Sequence, residues 1–243
     1  MKLFLKHLTF SAALAVSASS VVAQESNWNF AATMYLFMPE TNIASGGIEA
    51  TLSFSDALEN LDMAFMGAFE ANNGRWGLLG DFMLTDLEFS NNTPGLAYSG
   101  LNTTMKTQFF NGYVLYSAYQ APTVKLDVAA GLRWFDTSSE LDLVSGLLPG
   151  RTSSANDSWV DPVVGVRAQF EISDKWSGTV FADYGGFSSD SETWQVLLTA
   201  DYNISERWSL RFGYRHISVD HDIGGSAFKL DQSGPMIGAT YRF

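Results

Sequence analysis

The chain reads as all-β, folded into one closed antiparallel barrel that crosses a membrane with about ten strands. Three observations predict this. Beyond the N-terminus no stretch reaches the roughly 18 apolar residues that a spanning helix needs. The 243 residues are nonetheless 46% hydrophobic and 14% aromatic. The apolar residues alternate with polar or small ones through segment after segment, and in a strand such alternation gives two unlike faces. A chain that meets lipid without a spanning helix must close its strands into a barrel, because hydrocarbon offers no partner to an open sheet edge.

The N-terminus predicts export. Lys2 and Lys6 precede an apolar stretch from Leu8 to Val16, and Val21-Val22-Ala23 places small residues where a signal peptidase cuts. Residues 1–23 are therefore expected to be a cleaved signal peptide, and 24–243 a single barrel domain. Removing the two signal lysines leaves a charge of (14 − 2) − 26 = −14. So acidic a surface excludes nucleic acid as a partner. The chain has no cysteine, which excludes disulfides, thiolate metal sites and an acylated cysteine anchor.

The first strand is expected over Trp28–Met38. Pro39–Asp62 breaks the pattern and reads as an insert at the barrel mouth or in the lumen. It holds a short strand (Ile48–Phe54) and a helical turn near residues 55–62 with Ser55 as N-cap. Four hairpins follow: Met63–Asn72 with Trp76–Phe89, Thr103–Tyr119 with Val124–Phe135, Val160–Ile172 with Trp176–Phe187, and Thr193–Ile204 with Trp208–Val219. Phe228–Phe243 closes the chain. The count is ten; eight or twelve result if the insert leaves the wall or adds a hairpin to it. Connections within hairpins are tight. Those between them are mostly long: Ser90–Asn102, Asp136–Trp159 and Asp220–Ala227. Trp76, Trp176 and Trp208 each follow a tight turn, and Trp28 begins the first strand, so these four predict an aromatic girdle at one membrane boundary.

The closing strand ends G-P-M-I-G-A-T-Y-R-F, with Phe243, Tyr241, Ala239, Ile237 and Pro235 on one face. Together with the W-V-D-P-V-V-G-V-R segment (Trp159–Arg167), the Y-G-G-F corner (Tyr184–Phe187) and T-W-Q (Thr193–Gln195), it resembles small proteobacterial outer-membrane β-barrel proteins of porin-like type. The resemblance implies that Tyr241 and Phe243 form the signal read by the barrel-assembly machinery. It also implies short turns in the periplasm, long loops outside, and contact with outer-membrane lipids and lipopolysaccharide.

If the apolar faces meet lipid, the polar faces line the lumen. Parity then places Asp81, Lys125, Asp127, Arg133, Asp161, Arg167, Glu171, Asp183, Asp201, Arg211, Arg215 and Arg242 inside. Both signs are present, and a buried charge is costly unless paired. These residues predict an internal ion-pair network that narrows or plugs the lumen; the alternative is a narrow wet path for small solutes. The expected function is a structural or porin-like barrel without catalysis.

Two other readings carry chemistry. His216 and Ser218 share a face with Asp220, and this His-x-Ser resembles the lipid A deacylases; Val219 and Asp220 depart from that family's pattern. A ten-stranded barrel is also similar to the omptin proteases, which implies Asp86, Glu88, Asp220 and His221 as rim residues, at spacings unlike the family motif. No metal or cofactor motif is present: the sequence offers no EF-hand, P-loop or dinucleotide signature. The acidic loops suggest a third class, a surface-binding protein.

Overall fold

The structure, a computed structural model, describes residues 28–45, 48–93 and 96–243. The expected signal peptide lies outside the described residues. Ten strands form the closed ring: β1 (Asn29–Phe37), β4 (Leu61–Asn72), β5 (Trp76–Asn91), β6 (Tyr98–Gln120), β7 (Val124–Ser145), β8 (Arg151–Glu171), β9 (Trp176–Gly185), β10 (Ser191–Asn203), β11 (Trp208–Ile223) and β12 (Ser226–Arg242). Each pairs antiparallel with the next, and β1 closes the ring on β12 through Ala31↔Arg242 to Phe37↔Met236. Two further strands, β2 (Glu40–Ser45) and β3 (Ile48–Leu52), stand outside the ring.

β2 prolongs the line of β1 along β12, from Glu40↔Ser233 to Ser45↔Phe228. The break between them falls at Met38-Pro39, because proline has no N–H for the ladder. Gly234 lies opposite the break. A Cβ there would stand 2.2 Å from the Met38 carbonyl oxygen, so no side chain fits. β3 turns back along β2 and leads into one helical turn, α1 (Phe54–Glu59). The N-cap is Ser53 rather than Ser55: its hydroxyl accepts the Asp56 N–H at 3.2 Å. Ser55 sits inside the first turn, where its hydroxyl can only reach back to Ser53.

The faces sort as an inverted soluble protein. Leu78, Val114, Val128, Leu132, Val166, Leu198 and Ile237 stand exposed on the outer wall, while Asp127, Arg133, Asp183 and Arg215 are buried inside. In water this arrangement would forfeit the hydrophobic effect and bury charge as well. It is stable only where hydrocarbon surrounds the wall.

The long connections are not loops. The β6–β7 ladder runs from Gln120↔Lys125 out to Tyr98↔Ser145, and β8 follows β7 as far as Leu143↔Arg151. A 23-residue strand such as β6 extends about 75 Å at roughly 3.3 Å per residue. β9, with 10 residues, reaches about 33 Å on the same scale. β6, β7 and β8 therefore project as a blade beyond the ring. Thr137, Ser138 and Ser139 face Asp157, Asn156 and Ala155 there. With water on both sides of the blade, strict alternation has no cause, which is why the pattern concealed these strands.

Spin labels at Val128 and Leu132 should be quenched by dissolved oxygen and shielded from a water-soluble nickel complex in lipid. A label at Ser139 should show the opposite preference. Equal nickel access at all three positions would refute the wall assignment.

Candidate functional site

Facing pairs across the ladders bring the inward polar residues to common heights. Near mid-lumen they form a belt. Arg133 of β7 donates through Nη2 to Asp183 of β9 at 2.8 Å, and neither side chain has any exposed surface. The same guanidinium donates to Asn111 at 2.6 Å, to Thr193 at 2.8 Å and to Tyr113 at 3.2 Å. Asp183 also accepts from Tyr113 at 2.8 Å and from Gln195. Arg215 of β11 meets Asp81 of β5 at 2.9 Å, a pair that joins nearly opposite walls of the ring. Tyr35 of β1 donates to Asp81 and accepts from Arg215. Gln195 accepts two bonds from Arg215 while donating to Asp183, so the two ion pairs form one network.

Desolvating these ions costs several kcal/mol each, which only near-complete pairing offsets. The belt meets that demand: Arg133 finds four partners, and Asp183 finds three. Gly165 leaves the space for it. A Cβ at that position would stand 2.8 Å from Asp183 Cβ and 2.6 Å from a backbone oxygen.

Above the belt, away from the tight turns, an apolar layer fills part of the lumen. Phe37, Met66, Met83, Phe109, Phe135, Ile217, Val219, Leu230 and Met236 pack together. Arg215 lies over the Phe109 ring at 4.9 Å from its centroid, which joins belt to layer by a cation–π contact. Trp159 stacks between Phe135 and His221, at centroid distances of 5.3 and 4.1 Å. Beside this stack, beneath α1, lies an apolar recess of about 80 Å³.

Below the belt the lumen is polar and open. A cavity of about 80 Å³ bordered by Glu70, Asp81, Arg167, Gln169, Arg211 and Arg215 shares four of its lining residues with the mouth at the turn end. A second set of ion pairs stands there. Arg167 bridges its ladder neighbour Asp127 (2.8 Å) and Glu70 of β4 (3.0 Å), four strands away; Arg211 meets Asp201 at 2.7 Å and Lys125 approaches Asp127 at 3.7 Å.

Three of the residues expected in the network are not paired by charge. Asp161 is buried but accepts from Trp159 Nε1 and Ser191 Oγ; its ladder partner Arg133 turns its guanidinium to Asp183 instead. Arg242 donates to the Ser209 hydroxyl. Glu171 is exposed at the turn-end mouth, where water replaces a partner. Glu70, Tyr35, Tyr113, Asn111 and Gln195 complete the network beyond the charges that parity placed inside. Alternation places each on the inner face, but their partners lie strands away in sequence and in space.

At the turn end, Trp76, Trp176 and Trp208 each pair with a tyrosine of the next strand: Tyr116 at 4.9 Å, Tyr202 at 5.0 Å and Tyr241 at 4.9 Å. Trp28 precedes β1 and is partly exposed. Phe243 is 72% exposed, stacks edge-on against Tyr241, and donates its N–H to Phe30.

His216 and Ser218 both face outward, but His216 Nδ1 bonds to Ser233 Oγ and its ring lies against Trp194. Asp86, Glu88 and Asp220 stand on the outer face, and His221 points inward onto Trp159. Successive residues of a strand point opposite ways, so Asp220 and His221 do not converge.

No family model matches the chain, and no curated protein matches it. Among solved structures it is similar to the outer membrane protease OmpT from Escherichia coli, with a TM-score of 0.59 at 11% identity, covering 88% of this chain and 97% of that one. It is also similar to Ail, the attachment invasion locus protein of Yersinia pestis, at a TM-score of 0.39 and 11% identity, over 89% and 98% of the two chains. The fold is that of an outer-membrane β-barrel. At such identity the likeness to OmpT is one of architecture alone.

Removing half of a buried ion pair leaves an uncompensated charge, which costs about 3–5 kcal/mol. Arg133→Ala should lower the stability of this outer-membrane barrel by that amount in urea titrations in lipid vesicles. Arg133→Met combined with Asp183→Leu should cost less than Arg133→Ala alone. Gly165→Ala should cost about 1–3 kcal/mol by overpacking.

Proposed function

We propose that the protein is an integral barrel of a bacterial outer membrane whose lumen is sealed against solute flow, a structural member of the porin-like barrels. The observation that carries the reading is the Arg133–Asp183 pair with its side chains wholly buried, continued across the lumen by Arg215–Asp81. A conducting path needs sites that ions both reach and leave. Fully partnered ions of both signs, stacked beneath an apolar layer, offer neither.

On this reading the three Trp–Tyr pairs sit at the periplasmic boundary, where amphipathic rings favour the headgroup level. The β6–β8 blade then projects outside the cell, beside lipopolysaccharide, and Tyr241 and Phe243 present the closing strand to the assembly machinery. The exposure of Phe243 and its position at the end of the closing strand support that role.

Planar-bilayer recording of purified, refolded protein tests the seal. The wild type should give no stable unitary steps. Arg133→Ala with Arg215→Ala, which removes both cations of the belt, should produce flickering conductance. Stable open steps from the wild type would overturn the proposal in favour of a pore.

A further inference from the structure

Among the described residues, one side of β8 has no neighbouring strand above Pro162. β9 pairs with β8 only from Val163↔Gly185 downward, and a last bond runs from the Gly186 N–H to the Pro162 carbonyl. β7 holds the other side of β8 as far as Arg151. The Pro162 bond fixes which groups are left free. Even-numbered residues of β8 turn N–H and C=O toward the β9 side, and odd-numbered ones toward β7, as Glu171 does to Thr123. The backbone groups of Thr152, Ser154 and Asn156 therefore point off the edge of the blade, without a backbone partner among the described residues.

An open edge is a template for another strand, and proteins usually guard one with proline, lysine or a bulge. Thr152–Asn156 has none of these. Its ladder with β7 keeps one register throughout, and all five residues are exposed. The charges stand at the two ends of this stretch, Arg151 and Asp157. Neither forms an ion pair among the described residues. Asp157 accepts only the N–H of Ser158, at 2.8 Å.

The segment R-T-S-S-A-N-D (Arg151–Asp157) is complementary to itself. With a second β8 laid antiparallel along the edge and Ser154 opposite Ser154, Thr152 meets Asn156, Ser153 meets Ala155, and Arg151 meets Asp157 at both ends. Two conditions are satisfied at once. The even-numbered pairs exchange two N–H···O bonds each, about six in all. Arg151 and Asp157 fall on the intervening positions, where facing side chains stand closest and opposite charges attract. A slip of two residues in either direction loses both ion pairs.

Symmetry says where the partner stands. A two-fold axis across the edge turns one barrel upside down relative to the other. The two copies then lie in opposed membranes, not side by side in one. We propose that the Arg151–Asp157 edge of β8 joins two membranes by pairing with the same edge of a second copy of this chain in the facing membrane. The joint needs neither the belt nor a sealed lumen; that the membranes belong to neighbouring cells rests on the proposed placement of the blade outside the cell. Each joint is small and weak alone, and many in parallel between two surfaces act with avidity.

The test uses the full barrel in phosphatidylcholine vesicles, with clustering read by turbidity. Vesicles carrying the wild type should cluster roughly tenfold faster than empty ones. Arg151→Asp and Asp157→Arg should each abolish clustering, because like charges then face each other. A mixture of the two variant populations should cluster again, since each supplies the charge the other lacks; a folding defect would not be rescued in this way. In a chain without native cysteine, Ser154→Cys should give oxidised dimers that reductant cleaves. Thr152→Cys should not, because its two copies would stand about 13 Å apart along the strand. Before oxidation, an impermeant thiol reagent at position 154 reports how many blades face outward. Vesicles with outward blades that stay dispersed, clustering that Arg151→Asp leaves intact, or no recovery in the mixture would each overturn the proposal. Dispersed vesicles are also the result if the edge takes a strand of a different protein. Conductance recording is independent of these readouts, so the seal and the joint fail separately.

Discussion

A guanidinium and a carboxylate held out of water, Arg133 with Asp183, set the terms for the rest of the barrel. Such a pair is tolerable only if every remaining donor and acceptor is met. That requirement recruits Asn111, Tyr113, Thr193 and Gln195, and through Gln195 it draws in Arg215, Asp81 and Tyr35. The participants come from β1, β5, β6, β7, β9, β10 and β11. The belt thus ties strands that never touch through backbone hydrogen bonds. It also fixes the cross-section of the lumen, because its side chains must all meet at one height.

The belt divides the lumen into unlike halves. The half toward the tight turns is wet and charged, and its Arg167 bridge between Asp127 and Glu70 leaves room for solvent. The other half is apolar, with the Phe135–Trp159–His221 stack on one side and the recess under α1 on the other. Arg215 belongs to both, bonded to Asp81 in the plane of the belt and lying on the Phe109 ring above it. One cation therefore joins electrostatic closure to hydrophobic packing.

Much of this architecture was legible in the order of residues, and the physics says why. Lipid outside and charge inside impose a period of two on every membrane-crossing strand. Thr193–Ile204 accordingly sorts its faces, with Leu197 the apolar exception inside: Trp194, Val196 and Leu198 outward, Gln195, Thr199 and Asp201 inward. Which charges meet is another matter. Partners such as Arg167 and Glu70 are separated by 97 positions, and their heights depend on the tilt and stagger of a closed sheet. Asp161 shows the limit of parity: it faces inward as expected, yet its partners are an indole and a hydroxyl. The β6–β8 blade escaped notice for the complementary reason, since water on both faces erases the alternation. At the insert, Ser53 and Ser55 offer the same side chain, and only backbone geometry decides which one caps α1.

Thiol accessibility tests the sealed belt most directly, since the chain has no native cysteine to confuse it. Thr193→Cys places a small thiol in the belt, at a position with no exposed surface. Gln169→Cys places one in the wet half below. With a charged, membrane-impermeant thiol reagent on folded protein in vesicles, a sealed belt gives modification at position 169 and none at 193 until the barrel is unfolded. Rapid modification at position 193 in the folded state would contradict it.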